Sequence, residues 1–191
     1  MMRAIPSFLA EGLPIQQNRR ISHISRKADH ILCVDTDGHA LSAGQLICTA
    51  PAPQTATLLA SDFPGLAATA ASAAYAPCVT IMLGLANDSQ LPTTPLHAPQ
   101  HDIGWAMRET ARPPAAPQRP ALTIQAGAEW SAEHFNDTDE TSIAQLIDKY
   151  QLASGCWVGN ILHAQAHRWL YAKVTTAATS NALICQDNLA I

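Results

Sequence analysis

The chain contains 191 residues, 48% of them hydrophobic, which is enough for one good core or two small ones. Its formal net charge is −4, and only 11 lysines and arginines are scattered along it, so the basic patch expected of a nucleic-acid-binding protein is missing. The five cysteines are far apart and form no Cys-x-x-Cys pair, which argues against a disulfide framework or zinc knuckle and favours a reducing cytoplasm.

One uncharged stretch of 25 residues, 63–87, is long enough to span a membrane as a helix. Pro64, Gly65 and Pro77 interrupt it, and its middle consists of Ala, Ser and Thr rather than Leu or Ile. Residues 1–12 also lack the charged and then apolar plan of a signal peptide. We therefore expect neither a membrane span nor a secretory leader.

The first quarter of the sequence predicts a short helix followed by a small antiparallel meander. Residues 3–11 carry Ile, Phe and Leu at helical spacing, and Gly12 is placed to end the helix. Strands are expected at residues 20–25, 31–35 and 41–48. Asp37-Gly38 lies between two apolar runs and is a strong hairpin signal.

A strand, a tight turn and a helix are predicted over residues 46–60. Residues 46–48 form a short apolar run, which Pro51 and Pro53 prevent from continuing as a strand. Residues 54–60 then read as a helix with Pro53 at its first position, where a missing N–H costs nothing. In a nucleotide-binding sheet, such a turn at the carboxyl end of a strand lies next to the ligand.

The remaining sequence predicts strands and loops that lead to one well-marked helix. Expected elements are a helix at 67–74, strands at 78–85, 103–109 and 121–126, and loops at 91–100 and 112–120. Asp137 followed by Glu140 is typical of a capping box, and the helix after it carries an apolar stripe. The stripe consists of Ile143, Leu146, Ile147 and Tyr150.

Several motifs along the chain resemble those of the FAD-dependent amine oxidases, in particular the renalase-like oxidoreductases. The Pro-Ala-Pro-Gln turn at 51–54 is similar to the strand and turn that lead out of their FAD-binding domain. Trp105, Arg108 and Pro113 match a tryptophan, arginine and proline motif, with Arg112 where lysine is usual. Two further matches are Ala-Glu-Trp-Ser at 128–131 and His-Arg-Trp-Leu-Tyr-Ala at 167–172.

The resemblance implies an α+β fold with two parts. Residues 1–62 would be a partial, Rossmann-like FAD-binding portion that contains the β-meander. Residues 63–191 would be a substrate-binding domain with a mixed or antiparallel sheet and packing helices, and this domain need not be complete at its C-terminal end. The family activity is oxidation of a small planar amine or dihydronicotinamide-type substrate by hydride transfer to flavin, with FAD as cofactor.

The resemblance also places binding residues, although it identifies no catalytic residue and no metal site. Substrate-binding positions would be Trp105, Arg108, His167, Trp169 and Tyr171. Cofactor-binding positions would be Ile21, Thr49, Pro51 and Pro53. In this reading the aromatic side chains share one face of the sheet and wall a planar substrate, and that open apolar face makes a homodimer possible.

Two family elements are missing from the sequence. No Gly-x-Gly-x-x-Gly phosphate loop occurs, and the Gly-Asp segment that follows the His-Arg-Trp strand in the family is absent. The resemblance therefore covers only the middle to late part of a family member, and we interpret the chain as a fragment. We expect the chain alone to be inactive and not to hold FAD.

Three alternatives remain open at this point. The aromatic residues of 167–172 could form a core stripe instead of a substrate wall. The whole chain could be a non-catalytic α+β domain that binds a ligand or partner without flavin. His163 with His167, and His97 with His101, have the spacing of metal ligands on a helix, but the first pair falls on an expected strand and the second spans Pro99.

Overall fold

The computed structural model describes residues 4–111, 119–178, 185, 186 and 188–191, and the chain forms two compact units. The first unit comprises Met1–Ala73 with Ala178–Ile191, and the second comprises Ala74–Ala177. The division therefore lies 11 residues beyond position 62, where the sequence analysis placed it (73 − 62 = 11), and the C-terminal residues belong to the first unit. The α+β class is confirmed.

The first unit contains three helices and two small sheets among its described residues. The helices are α1 (Ala4–Leu9), α2 (Ala52–Leu59) and α3 (Pro64–Ala71). One sheet consists of β1 (Ile21–Arg26), β2 (Ile31–Asp35) and β3 (Ala40–Ala43). The other consists of β4 (Leu46–Ile47), β10 (Cys185–Gln186) and β11 (Leu189–Ala190).

The predicted meander is confirmed, and its hairpin turn depends on a glycine. Strands β1, β2 and β3 pair antiparallel in that order. Gly38 has a φ of +84°, a conformation that residues with a Cβ rarely adopt. The carboxylate of Asp35 accepts hydrogen bonds from the N–H groups of Asp37 and His39, at 3.0 and 2.8 Å. The turn is thus held from its base by one buried side chain.

The single strand expected at 41–48 is wrong, because the structure divides it between two sheets. A bend at Gly44 and Gln45 takes the chain out of the meander after β3. Strand β4 then pairs in parallel with β11, and the N–H of Cys48 donates to the carbonyl of Ala190 at 2.8 Å. The partner of β4 comes from the far end of the sequence, which no local pattern could indicate.

The turn after β4 leads into α2 as expected, with one correction. The helix begins at Ala52, so Pro53 occupies its second position and Pro51 precedes it. The hydroxyl of Thr55, in the first turns of the helix, donates to the carbonyl of Ala50 at 2.9 Å and ties the turn to the helix. The core of this unit consists of Ile24, Ile31, Cys33, Leu59, Phe63, Leu66, Ala67 and Leu189.

The second unit is a five-stranded antiparallel sheet covered on one face by helices. In spatial order its strands are β6 (Leu96–Ala98), β7 (Ile103–Arg108), β8 (Ala121–Ala126), β5 (Ala74–Leu85) and β9 (Ile161–Thr176). Its helices are α4 (Ala128–Glu133) and α5 (Asp139–Ser154). Strands β7 and β8 lie where the sequence predicts them. Arg112, Pro113 and Pro114 lie outside the described residues.

Three expectations for this unit need correction. The loop expected at 91–100 contains the edge strand β6. Strand β5 starts at Ala74 and not at residue 78, because a bulge in β9 opposite Pro77, between Trp169 and Lys173, accommodates the proline within β5. Strand β9 is 16 residues long and extends well beyond 167–172 on both sides. A further correction concerns the first unit, where the helix expected at 67–74 is α3, which begins at Pro64 and ends at Ala71.

Helix α5 covers the hydrophobic core of the second unit. Leu146 and Tyr150 of its predicted stripe are buried, and Ile143 and Ile147 pack against the same core at its margin. They meet alternate residues of the central strands, namely Val79, Ile81, Leu83, Leu122 and Ile124. Each fully buried aliphatic side chain of this kind stabilises the fold by about 2 kcal/mol. No helix among the described residues has the length and apolar character needed to cross a membrane.

The cap of α5 differs from the predicted one. Thr138 is the N-cap, and its hydroxyl accepts a hydrogen bond from the N–H of Thr141 at 3.2 Å. Asp137, the predicted cap, lies one residue earlier, where its carboxylate contacts the His134 ring at 2.8 Å. Both side chains can accept a hydrogen bond from a helix N–H, and Thr138 occupies the N-cap position in place of Asp137.

We predict that Thr138→Ala destabilises the second unit by about 1 kcal/mol, because the first turn loses its side-chain acceptor. Thr138→Asn, which keeps an acceptor, should stay close to the wild type. Urea unfolding followed by tryptophan fluorescence measures this directly, since all four tryptophans lie in residues 105–169 of this unit. Equal losses in the two variants would contradict the assigned cap.

A second prediction concerns Asp35. Burial acts to raise the pKa of this carboxyl, but hydrogen bonds from the N–H groups of His39 and Asp37, with the His39 ring, lower it overall. A folded-state pKa below the unfolded one means that the ionised group stabilises the fold at neutral pH. That stabilisation is lost as the pH falls from about 4 through the folded-state value.

Asp35→Asn should therefore weaken the first unit at pH 7 and reduce its loss of stability between about pH 5 and 3. Far-UV circular dichroism reports on both units, whereas tryptophan fluorescence reports on the second unit alone and serves as the internal control. Asp37→Asn, at an exposed position in the same turn, is the matched variant. An Asp35→Asn chain with the wild-type pH profile would refute the role given to Asp35.

Candidate functional site

The sheet of the second unit has one face buried under α5 and one face left open. Directly paired residues of antiparallel strands point to the same side of a sheet, so their register shows which side chains share the open face. One row crosses four strands and consists of Trp105, Gln125, Thr80 and His167. Beside this row, Trp169 is paired with Cys78.

A groove with a volume of about 610 Å³ lies on this open face. Its aromatic walls are Trp105, Trp169 and Tyr171, which come from β7 and β9. Gln125 lies on its floor, and Lys173 and His97 also line it. The structure thus brings together three of the five residues that the sequence analysis named as substrate-binding.

His167, the fourth of these residues, lies next to the groove. Its ring packs edge-on against Trp169, with ring centroids 4.1 Å apart. Tyr171 is fixed in the same way by Tyr75, whose ring centroid is 5.6 Å away. Trp169 nevertheless keeps 52% of its surface exposed, which is unusual for a side chain of a hydrophobic core. The aromatic residues of β9 therefore form an open wall and not a buried core stripe.

Arg108, the fifth, is not in this groove. It is three residues from Trp105, and its strand partner is Leu122, a core residue, so it lies on the opposite face of the sheet. Its guanidinium donates to the carbonyl of Asp88 at 2.8 Å, and among the described residues its Nε is buried without a hydrogen-bond partner. In the structure, Arg108 holds the loop after β5 in place.

Side chains of β9 point alternately to the two faces of the sheet, and Arg168 lies on the face opposite the groove. It points away from the groove and donates to the carboxylate of Asp139 and to the carbonyl of Asp137, both at 2.5 Å. A third contact, at 3.3 Å, reaches the hydroxyl of Ser142. These bonds tie β9 to the first turn of α5, so the arginine between the aromatic residues fixes the strand that carries them.

The match at Trp130 and Ser131 is explained by packing. The hydroxyl of Ser131 accepts a hydrogen bond from the N–H of Val79 at 3.0 Å, which joins α4 to β5. Trp130 is buried and stacks on His134, with ring centroids 4.3 Å apart. Both residues therefore support the sheet from its covered side.

Sequence reasoning did not identify His97, Gly104, Gln125 or Lys173 as lining residues. The ring Nδ1–H of His97 donates to the carbonyl of Gly104 at 2.5 Å. A Cβ on Gly104 would lie 3.0 Å from the carbonyl oxygen of Ala126, so any other residue would require the β8 backbone to shift by a few tenths of an ångström. The available signal was the glycine before Trp105 in a strand pattern, which marks a close backbone contact.

The predicted cofactor-binding residues all lie in the first unit. Ile21 is in β1, partly buried against the core, while Thr49, Pro51 and Pro53 form the turn between β4 and α2. This turn does not fit the pyrophosphate of FAD. The N–H groups of Gln54 and Thr55 both donate to the carbonyl of Pro51, and Pro53 has no N–H.

Three potential metal ligands also occur in the first unit, at the hairpin turn. Ligand atoms of Asp35, Asp37 and His39 lie within 4.8 Å of one another. The Asp35 carboxylate, however, already accepts from two backbone N–H groups and contacts the Arg19 guanidinium at 3.3 Å. These bonds show that the cluster stabilises the hairpin turn. His163 and His167 lie on the extended strand β9, about 13 Å apart along it.

Comparison with known proteins places the fold. No family model matches the chain. A solved structure described as a protoporphyrinogen oxidase from Exiguobacterium has a TM-score of 0.62 at 16% identity, over 84% of this chain and 36% of that one. Putrescine oxidase with bound putrescine has a TM-score of 0.64 at 10% identity, over 85% and 36%. An oxidoreductase from Methanosarcina mazei gives 0.62 at 14%, over 90% and 42%.

At these identities the likeness establishes the fold alone. The chain spans between 36% and 42% of the length of these three proteins. It therefore has the fold of a portion of these proteins.

Proposed function

We propose that this chain contributes the substrate-facing portion of an FAD-dependent oxidoreductase of the renalase-like amine oxidase group. In this proposal, a small planar amine or dihydronicotinamide-type substrate is oxidised by hydride transfer to flavin. The observation that carries it is the open groove walled by Trp105, Trp169 and Tyr171. The shared fold with several oxidases supports the same interpretation.

The residues of the chain would bind and orient the substrate. Trp105 and Trp169 enter the groove from two different strands of the sheet, so a flat ring can lie against aromatic surfaces. Each such contact contributes about 0.5–1.5 kcal/mol beyond the burial of area. Gln125, on the floor, offers one hydrogen-bond acceptor and two donors that can fix the orientation of the ring.

The first unit would be part of the FAD-binding domain, with Ile21, Thr49, Pro51 and Pro53 along the cofactor. The pyrophosphate would rely on donors from outside this chain, because the sequence has no glycine loop and the N–H groups of Gln54 and Thr55 at the start of α2 are bonded to the carbonyl of Pro51. The proposed location is the cytoplasm, which agrees with free thiols at Cys33, Cys48, Cys78 and Cys156.

The second candidate function is that of a ligand-binding α+β domain that does not use flavin. The same missing phosphate cradle favours it for this chain taken by itself. The two functions differ in what the open face should accept. In an oxidoreductase portion this face adjoins the flavin while the groove holds the substrate, so the flavin ring system should bind there; a domain without flavin has no reason to bind it.

The chain purified alone is predicted to be colourless, without the flavin absorbance band at about 450 nm. Much of the affinity for a flavin dinucleotide comes from contacts to its pyrophosphate, and the glycine loop that supplies them is missing from this sequence. Absorbance spectroscopy of the purified protein, before and after addition of FAD and gel filtration, measures it. A yellow protein after gel filtration would contradict this prediction.

Lumiflavin, which has the flavin ring without phosphates, tests the proposed function. We expect it to bind the groove with quenching of its fluorescence, and FAD to bind no more tightly. Trp169→Ala should weaken lumiflavin binding about three- to tenfold through the lost aromatic contact. Trp157→Ala, which removes a tryptophan that is 66% exposed but outside the groove, should leave binding unchanged. Failure of lumiflavin to bind, or equal effects of the two variants, would sink the proposal.

A further inference from the structure

The groove on the open sheet face is lined by a positively charged side chain and by no negatively charged one. Fourteen residues line it, and among them are one lysine, Lys173, and no aspartate or glutamate. The chain as a whole has more acidic than basic residues, 15 against 11, whereas this lining has a lysine and no carboxylate. A charged ligand in this groove would therefore meet only a positive partner.

Lys173 is available for that role. It follows the bulge of β9, where it is paired with Ala76, and it is exposed. The ion pairs found among the described residues do not include it, whereas Lys149 is held by the Asp102 carboxylate at 2.8 Å. The carbonyl of Asp102 accepts a hydrogen bond from the N–H of the lining residue Gly127, but Asp102 itself does not line the groove. Its charge is thus already neutralised on the side of α5.

We propose that the groove binds a planar aromatic ligand that carries a negative charge, and that Lys173 is its charge partner. The inference rests on the proposed function, because it takes this groove as the substrate site, and it decides between substrate classes. A protonated amine would bring a positive charge next to Lys173 with no carboxylate to receive it. A planar anion satisfies both the aromatic walls and the lysine.

The position of Lys173 relative to the walls supports this assignment. Tyr171 and Lys173 are two residues apart on β9, and both line the groove together with Trp169. The flat part of a ligand can lie against the rings while an acidic substituent reaches the ammonium group at the end of the long lysine side chain. Gln125 remains available to hydrogen-bond a neutral part of the ring.

Three probes of equal ring size test the charge preference by isothermal titration of the whole chain at low salt. They are 2-naphthoate, 2-naphthylmethanol and protonated 2-naphthylmethylamine. We expect the carboxylate to bind about tenfold more tightly than the ammonium probe, with the alcohol between them. Raising the salt concentration should reduce the difference, since an exposed charge is screened.

Lys173→Met should bring the three affinities together while leaving that of the alcohol unchanged, and Lys173→Arg should keep the order. Lys27→Met, which removes a lysine of the first unit, is the matched control and should retain the full preference. An ammonium probe that binds as tightly as the carboxylate, a preference that survives Lys173→Met, or a chain that binds none of the probes would overturn the inference. Lumiflavin binding reports on the proposed function separately, because lumiflavin has no carboxylate.

Discussion

The antiparallel pairing of β5 with β9 is the interaction on which the candidate site depends. It places Trp169 beside Cys78 and His167 beside Thr80, and it continues through β8 to Trp105. The side-chain period of a strand is two, so a slip of one residue would exchange the two faces. Arg168 would then point into the groove, and the aromatic rings would point at α5.

Arg168 secures that register with polar contacts that apolar packing could not supply. Its guanidinium joins the strand to Asp139 and to the backbone at Asp137, at the start of α5. The same helix covers the core through Leu146 and Tyr150. The buried face is thus fixed by a helix and an arginine, and this leaves the opposite face free to present flat, partly exposed rings.

Local sequence patterns predicted most of the helices and strands, but not the pairing of strands that are far apart in the sequence. The Asp37-Gly38 hairpin, β7, β8 and the stripe of α5 follow from turn chemistry and periodicity, which act over a few residues. The pairing of β4 with β11 joins residues more than 140 positions apart, and β6 lies between prolines that resemble a loop. Arg108 was expected at the substrate with Trp105, but a separation of three residues in a strand places the two side chains on opposite faces.

The central claim is that the open aromatic groove recognises a flat ring system, and the four tryptophans of the chain allow this to be observed directly. Trp105 and Trp169 line the groove, Trp130 is buried, and Trp157 is exposed elsewhere. Indole N–H resonances in a nitrogen-15 NMR spectrum, recorded during titration with lumiflavin, distinguish them. The account predicts shifts for Trp105 and Trp169 alone; shifts confined to Trp157, or spread equally over Trp157 and the groove tryptophans, would contradict it.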